Sequence, residues 1–226
     1  MLYNNTASIN IGKFTNWLIV ELNKSLLLTV LFITIATNIF GQPKKEFYED
    51  GKLKSEGNYV GTKKTGAWKY YYPSGILMAE ENFKDGMLDG IIKNYDTKGK
   101  LSSKENWVKG AEEDSSFTYY PNGKVKRCGV FRNGLYEGNW NTYYENGQLK
   151  NKGNYALGEP NGKWYFYSEK GILEMECLYE NGQRNGNAIM YDTKGEKWQE
   201  GNFVNGEQKG QWKVYKKGKF IGEVTY

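Results

Sequence analysis

An all-β chain, built as an elongated single-sheet antiparallel array of about seven 24-residue β-hairpins, is predicted by three observations. Glycine recurs at Gly51, Gly75, Gly99, Gly123, Gly147, Gly171 and Gly195 with no insertion or deletion between copies. Two aromatic columns keep the same phase: Tyr59, Phe83, Trp107, Phe131, Tyr155, Tyr179 and Phe203, and Tyr71, Tyr95, Tyr119, Tyr143, Tyr167, Tyr191 and Tyr215. Composition is the third: 28 Gly, 16% aromatic and only 38% hydrophobic residues leave little aliphatic mass for a thick core. A fixed period in this range is the mark of a repeat architecture, in which each unit is stable only beside its neighbours.

Taken in order, residues 1–41 belong to no repeat. Lys24 precedes the uncharged apolar run from Ser25 to Phe40, and Gly41 follows it. A cation, a short apolar segment and a small residue at its exit predict a secretory signal peptide cleaved after Gly41, with an uncleaved anchor as the alternative. Residues 42–226 form the repeat domain, which the reading places outside the cell membrane, periplasmic or secreted. In each unit the first extended run, such as LKSEGNYV, puts Leu53, Gly57 and Tyr59 on one parity and Lys52, Lys54 and Glu56 on the other. That period of two describes a half-buried strand. The second run, such as AWKYYY, is aromatic and bounded by Gly66 and by PSG, so one repeat is one hairpin with two Gly-marked connections. Roughly fourteen strands at about 4.8 Å each make an array on the order of 65 Å long.

The column Gly57, Gly129, Gly153 and Gly201 is assigned to packing. Without a side chain there, the rings of Trp68, Trp140, Trp164 and Trp212 can lie over the backbone of the neighbouring strand. The two cysteines, Cys128 and Cys177, sit two repeats apart on strand positions of opposite parity. Four strand spacings are about 19 Å, far beyond disulfide reach, so no intramolecular disulfide is expected. Cys177 stands in the glycine column as a small packed residue, and Cys128 is expected to be more exposed.

The stretches GNFVNGEQKGQW (Gly201 to Trp212), GVFRNGLYEGNW (Gly129 to Trp140) and GNYALGEPNGKW (Gly153 to Trp164) resemble MORN repeats, in the variant common in bacterial proteins that include the YwqK-type antitoxins. Tryptophan at Trp140 and Trp212 departs from the commoner motif, which has a third glycine there. The resemblance implies a binding or spacer module, with an antitoxin-like or immunity partner as one form of it.

Chemistry is sparse. The chain has no His, which removes His-based triads and His metal ligands, and it carries no G-x-S-x-G elbow and no phosphate-cradling loop. A net charge of +5 is spread over interleaved basic and acidic residues, so a nucleic-acid role is not assigned. The expectation is a non-enzymatic scaffold without cofactor or metal that binds an unidentified protein, with a cell-envelope structural or glycan-binding role as the alternative. Two features are candidates for the contact. Glu112, Glu113 and Asp114 form a dense acidic run, read as a loop, where Asp114 and Ser116 replace the repeat's Gly and Trp. It suits a basic partner or a weak cation site. Tyr72, Tyr120 and Tyr144 share a column with Asp96, Ser168, Asp192 and Lys216, so they are read as exposed rings of a contact surface, with Tyr120 and Tyr144 forming one patch with the acidic run.

Overall fold

The computed structural model describes residues 21–24, 26 and 42–226; the first five are helical. The expected signal segment and its cleavage position therefore lie outside the described residues, apart from Lys24 and Leu26. Among the described residues, no helix is long and apolar enough to cross a membrane.

From Gln42 onward the chain is one open antiparallel sheet of 17 strands. The first five are β1 (Gln42–Phe47), β2 (Leu53–Val60), β3 (Lys63–Tyr71), β4 (Leu77–Lys84) and β5 (Met87–Leu88). Next come β6 (Gly90–Tyr95), β7 (Leu101–Val108), β8 (Ala111–Tyr119), β9 (Val125–Arg132), β10 (Leu135–Tyr143) and β11 (Leu149–Ala156). The last are β12 (Glu159–Tyr167), β13 (Leu173–Glu180), β14 (Gln183–Tyr191), β15 (Lys197–Val204), β16 (Glu207–Lys216) and β17 (Lys219–Thr225). Each pairs antiparallel with its sequence neighbours, save that β4 pairs with both β5 and β6. The count exceeds fourteen because half-units β1 and β17 flank the seven hairpins and one strand is divided into β5 and β6.

Two turns alternate. One is a two-residue connection such as Asn133-Gly134, where φ is 51° and 77°; two consecutive positive φ values give the hairpin turn that matches strand twist. The other closes at the repeat glycine, as where Gly123 N–H donates to the Tyr120 carbonyl and Tyr120 N–H to Lys124.

The remaining glycine corrects the sequence reading. Gly66 and its equivalents do not close a connection; they sit inside the second strand at a bulge. Glu56 pairs with Lys69 and Asn58 with Thr65, so the single residue Gly57 faces Gly66, Ala67 and Trp68. The bulge turns the Trp68 ring down onto Gly57, where an added Cβ would lie 2.2 Å from the indole. The other three pairs are alike: Gly129 with Trp140, Gly153 with Trp164 and Gly201 with Trp212. Each tryptophan is buried, and an aromatic of the preceding strand meets it edge-on, as Tyr59 does Trp68 at 5.0 Å and 89°. Where the strand lacks Gly, the ring is also lacking: Glu81 with Ile92, Glu105 with Ser116 and Cys177 with Ala188. The core is thus a one-sided row of rings on a single sheet. The opposite face is open to solvent.

Candidate functional site

The acidic run is not a loop. Ala111–Tyr119 is strand β8, and Asp114 takes the bulge position with φ 66°, the left-handed backbone that Gly66 supplies in the first repeat. Asp and Asn tolerate that conformation better than other side-chain-bearing residues, so the repeat survives the loss of Gly. Glu113 accepts a hydrogen bond from the Asn133 N–H of the next turn at 2.7 Å, as Asp89 does from Lys109 and Glu137 from Leu157. Glu112 is half-buried beside Ser116, and burial, followed by repulsion from Glu105, raises its pKa. Among the described residues, no cluster of three or more His, Cys, Asp or Glu side chains could hold a metal ion.

The three tyrosines are half-buried rather than free. Each hydroxyl donates to a backbone carbonyl of the next repeat: Tyr72 to Tyr95, Tyr120 to Tyr143 and Tyr144 to Tyr167, each at 2.8 Å. Tyr48 does the same to Tyr71 at 2.7 Å. These are inter-repeat staples, and Lys126 and Lys150 cover the rings of Tyr120 and Tyr144. Nor do the two features meet. Glu112 lies at the start of β8 and Tyr120 in the turn just past its end, eight residues or roughly 25 Å apart at the rise of an extended chain. Tyr144→Phe is expected to cost about 1 kcal/mol by leaving the Tyr167 carbonyl without its donor; a thermal melt identical to wild type would return Tyr144 to the exposed class.

The cysteines are both free, Cys177 buried and Cys128 half-buried. Cys177 pairs with Trp164 on one side and Ala188 on the other, and burial pushes its thiol up to about 11.

The solvent-facing side carries an arrangement that sequence reading passed over. Four tyrosines of the recurring column donate to a glutamate fifteen residues earlier: Tyr71 to Glu56 at 2.7 Å, Tyr95 to Glu80 at 2.9 Å, Tyr191 to Glu176 at 2.6 Å and Tyr215 to Glu200 at 2.8 Å. Lysines complete each seat, with Lys45 on Glu56, Lys93 on Glu80, Lys163 on Glu176, and Lys197 and Lys213 on Glu200. The carboxylates respond. Tyr71, then Lys45, holds Glu56 below the usual range, and Tyr95, then Lys93, does so for Glu80. For Glu176, burial opposes the shift but is outweighed by Lys163 and Tyr191; for Glu200, Lys197 and then Tyr215 lower the value. Burial, then the neighbouring glutamate, pushes Tyr71 and Tyr191 each up to about 12.

A carboxylate pKa lowered by folding contributes stability that is present above the unfolded value, 4.5 here, and lost as pH falls through the lower folded values. Glu112, raised, contributes in the opposite sense. The array should therefore melt at lower temperature as pH drops from about 5 to about 2, and Glu176→Gln should flatten that dependence. A Tm that stays constant through this window would show that the seats add nothing.

Open hollows recur on this face behind the bulge. One is lined by Glu56, Ala67 and Lys69, and the equivalent one in the next unit by Glu80, Lys93 and Ile91. A third, of about 390 Å³, lies between Asn139, Asn141, Lys152, Lys163 and Tyr165. The first two contain a carboxylate; the third contains none.

The family described as MORN repeat variant matches residues 43–60, 64–85, 88–109, 115–133, 136–156 and 160–181. No curated protein matches the chain. Among solved structures, a point mutant of S. aureus TarM in complex with fondaparinux, α-GlcNAc-glycerol and UDP is similar at 10% identity over 59% of this chain and 23% of that one, with a TM-score of 0.31. The GtfA/B complex bound to UDP and GlcNAc is similar at 15% identity over 49% and 22%, with a TM-score of 0.22. The TcdB2-TccC3-Cdc42 structure is similar at 14% identity over 78% and 12%, with a TM-score of 0.23. This chain thus spans less than a quarter of the length of each, and at these scores the likenesses carry no argument about function. The six matched segments together cover more than half of the sequence, each running from the second strand of one hairpin (or from β1) into the first strand of the next, and the chain belongs to the MORN repeat variant family.

Proposed function

We propose that this protein is a non-enzymatic scaffold that docks another protein on the solvent-facing side of its sheet. The observation that carries the reading is the one-sided core. The four buried tryptophan rings pack on one face, while the other presents a periodic array of Tyr, Glu and Lys over open hollows. Such a surface offers repeated polar contacts over a long span and no enclosed chamber for a small substrate. Family membership supports a binding scaffold, and an antitoxin-like role, in which the captured partner is a toxin, is its finer form. Export follows from Lys24 and the apolar run after it, and N-terminal sequencing of the mature protein tests it: an intact Met1 in a soluble cytoplasmic pool would overturn export.

The run Glu112, Glu113 and Asp114 is the competing docking place. Glu113 is committed to the neighbouring turn and Glu112 is half-buried, which leaves Asp114 as the exposed member. The deciding experiment compares capture of purified candidate proteins by the full chain with its binding to isolated envelope glycans. Glycan binding without protein capture would replace this reading with the envelope one.

A further inference from the structure

The Tyr–Glu–Lys seat recurs along the sheet, yet the glutamate is present only toward the two ends. At the equivalent position the central three repeats carry Lys104, Cys128 and Lys152. The tyrosines remain, as Tyr119, Tyr143 and Tyr167, half-buried in the same register: Lys104 pairs with Phe117, Cys128 with Asn141 and Lys152 with Tyr165, as Glu56 pairs with Lys69. Among the described residues none of these three hydroxyls donates to a carboxylate, and neither Lys104 nor Lys152 forms an ion pair. Lys126 and Lys150 lie two residues from Cys128 and Lys152 on the same face and extend the basic strip. The hollow between Lys152, Lys163 and Tyr165 belongs to this stretch; Lys163 on its rim is paired with Glu176, so among the described residues Lys152 is its unpaired cation.

The chain's own glutamates identify the ligand group that the seat accepts: a carboxylate receiving one tyrosine O–H and facing one or more lysines. From this we infer that the central seats take the carboxylates of an acidic segment of a partner protein. Consecutive seats are two strands apart, about 9.6 Å. A segment in the polyproline II conformation returns to the same face every third residue, at about 9.3 Å. A fully extended strand would alternate faces at that spacing, so the fit is to an acidic, proline-rich segment with Glu or Asp at every third position. Its conformation is set before binding, which reduces the ordering cost. The inference deepens the scaffold reading and rests on it.

The test is a fluorescence-anisotropy titration of the full chain with a labelled peptide of repeated Glu-Pro-Pro units, against a peptide of the same composition with the glutamates contiguous. The spaced peptide is expected to bind several-fold more tightly. Lys104→Glu, Cys128→Glu and Lys152→Glu together give the central seats the chain's own carboxylate, so this variant should fold as the wild type does and lose at least about tenfold in affinity. A control with the same charge change at exposed sites elsewhere, Thr62→Glu, Lys84→Glu and Lys209→Glu, should lose no more than about threefold at physiological salt. If the first variant fails to fold, Tyr119→Phe, Tyr143→Phe and Tyr167→Phe remove the donors without changing charge and should still weaken binding. Equal loss in the first variant and the control, equal binding of the two peptides, or binding of phosphatidylglycerol vesicles in place of the spaced peptide would each overturn the inference. Capture of a protein partner that is indifferent to these substitutions would sink the seats and leave the scaffold standing.

Discussion

Gly153→Ala is expected to destabilise the array by about 2–4 kcal/mol, far above the effect of a typical surface substitution. The added Cβ would lie 2.1 Å from Cδ2 and 2.2 Å from Cε2 of Trp164, inside any permitted contact. The ring has no easy retreat. Its Nε1–H donates to the Asn154 carbonyl at 3.2 Å, and Tyr155 and Phe166 hold it from either side at 5.2 and 6.1 Å. Gly206→Ala provides the contrast: no atom lies within 4 Å of that Cβ, so the φ of +88° is the source of its cost, about 1 kcal/mol. Trp164→Ala alone should cost about 3–5 kcal/mol. Placed on that background, Gly153→Ala should cost little, because the atom that it struck is gone. Urea unfolding of the four proteins in the cycle measures the coupling; additive losses would show that the glycine is kept for a reason other than the ring.

That coupling was visible in the sequence because glycine and tryptophan vary together at one spacing, and a strand's period of two places both on one face. The bulge that joins them was not. Gly66 and Gly123 both need positive φ, one within a strand and the other at a turn, and composition does not separate the two cases. The acidic run was misread for the same reason: Asp114 in the bulge looks like a broken turn until its φ is known. The staple column misled differently. Tyr120 reaches forward to the Tyr143 carbonyl, whereas Asp96 accepts from Lys98 and Lys100 N–H groups in its own turn, and Ser168 from Ile172. Two solutions to turn fixation share one column, and the mixture of Tyr, Asp and Ser resembles an unconstrained surface position. The carboxylate seats could have been found, since Glu56, Glu80, Glu176 and Glu200 recur in phase with a tyrosine fifteen residues on. Their contact depends on the register past the bulge, however, and the repeat period does not supply it.

The size rule between facing residues makes a stricter prediction at Cys177 and Ala188, where the array has neither Gly nor Trp. The two residues pair directly and are 2% and 1% exposed, so the space is already filled. Ala188→Trp alone should lower stability by about 2–4 kcal/mol, because the indole must occupy the volume of the Cys177 side chain and a packed core yields poorly to added bulk. Cys177→Gly alone should cost about 1–2 kcal/mol through the small cavity and the freed unfolded backbone. Combined, they rebuild the pair seen at Gly153 and Trp164, in which the indole N–H donates to the carbonyl one residue past the glycine. Leu178 supplies that carbonyl here. The double variant is therefore expected to return to within about 1 kcal/mol of the parent, a non-additive recovery of the kind contacting residues show. Losses that simply add would mean that the bulge between Gln183 and Tyr191 does not turn its residue down as the other repeats do, and that the alternation of small and large residues is local to the four tryptophan repeats.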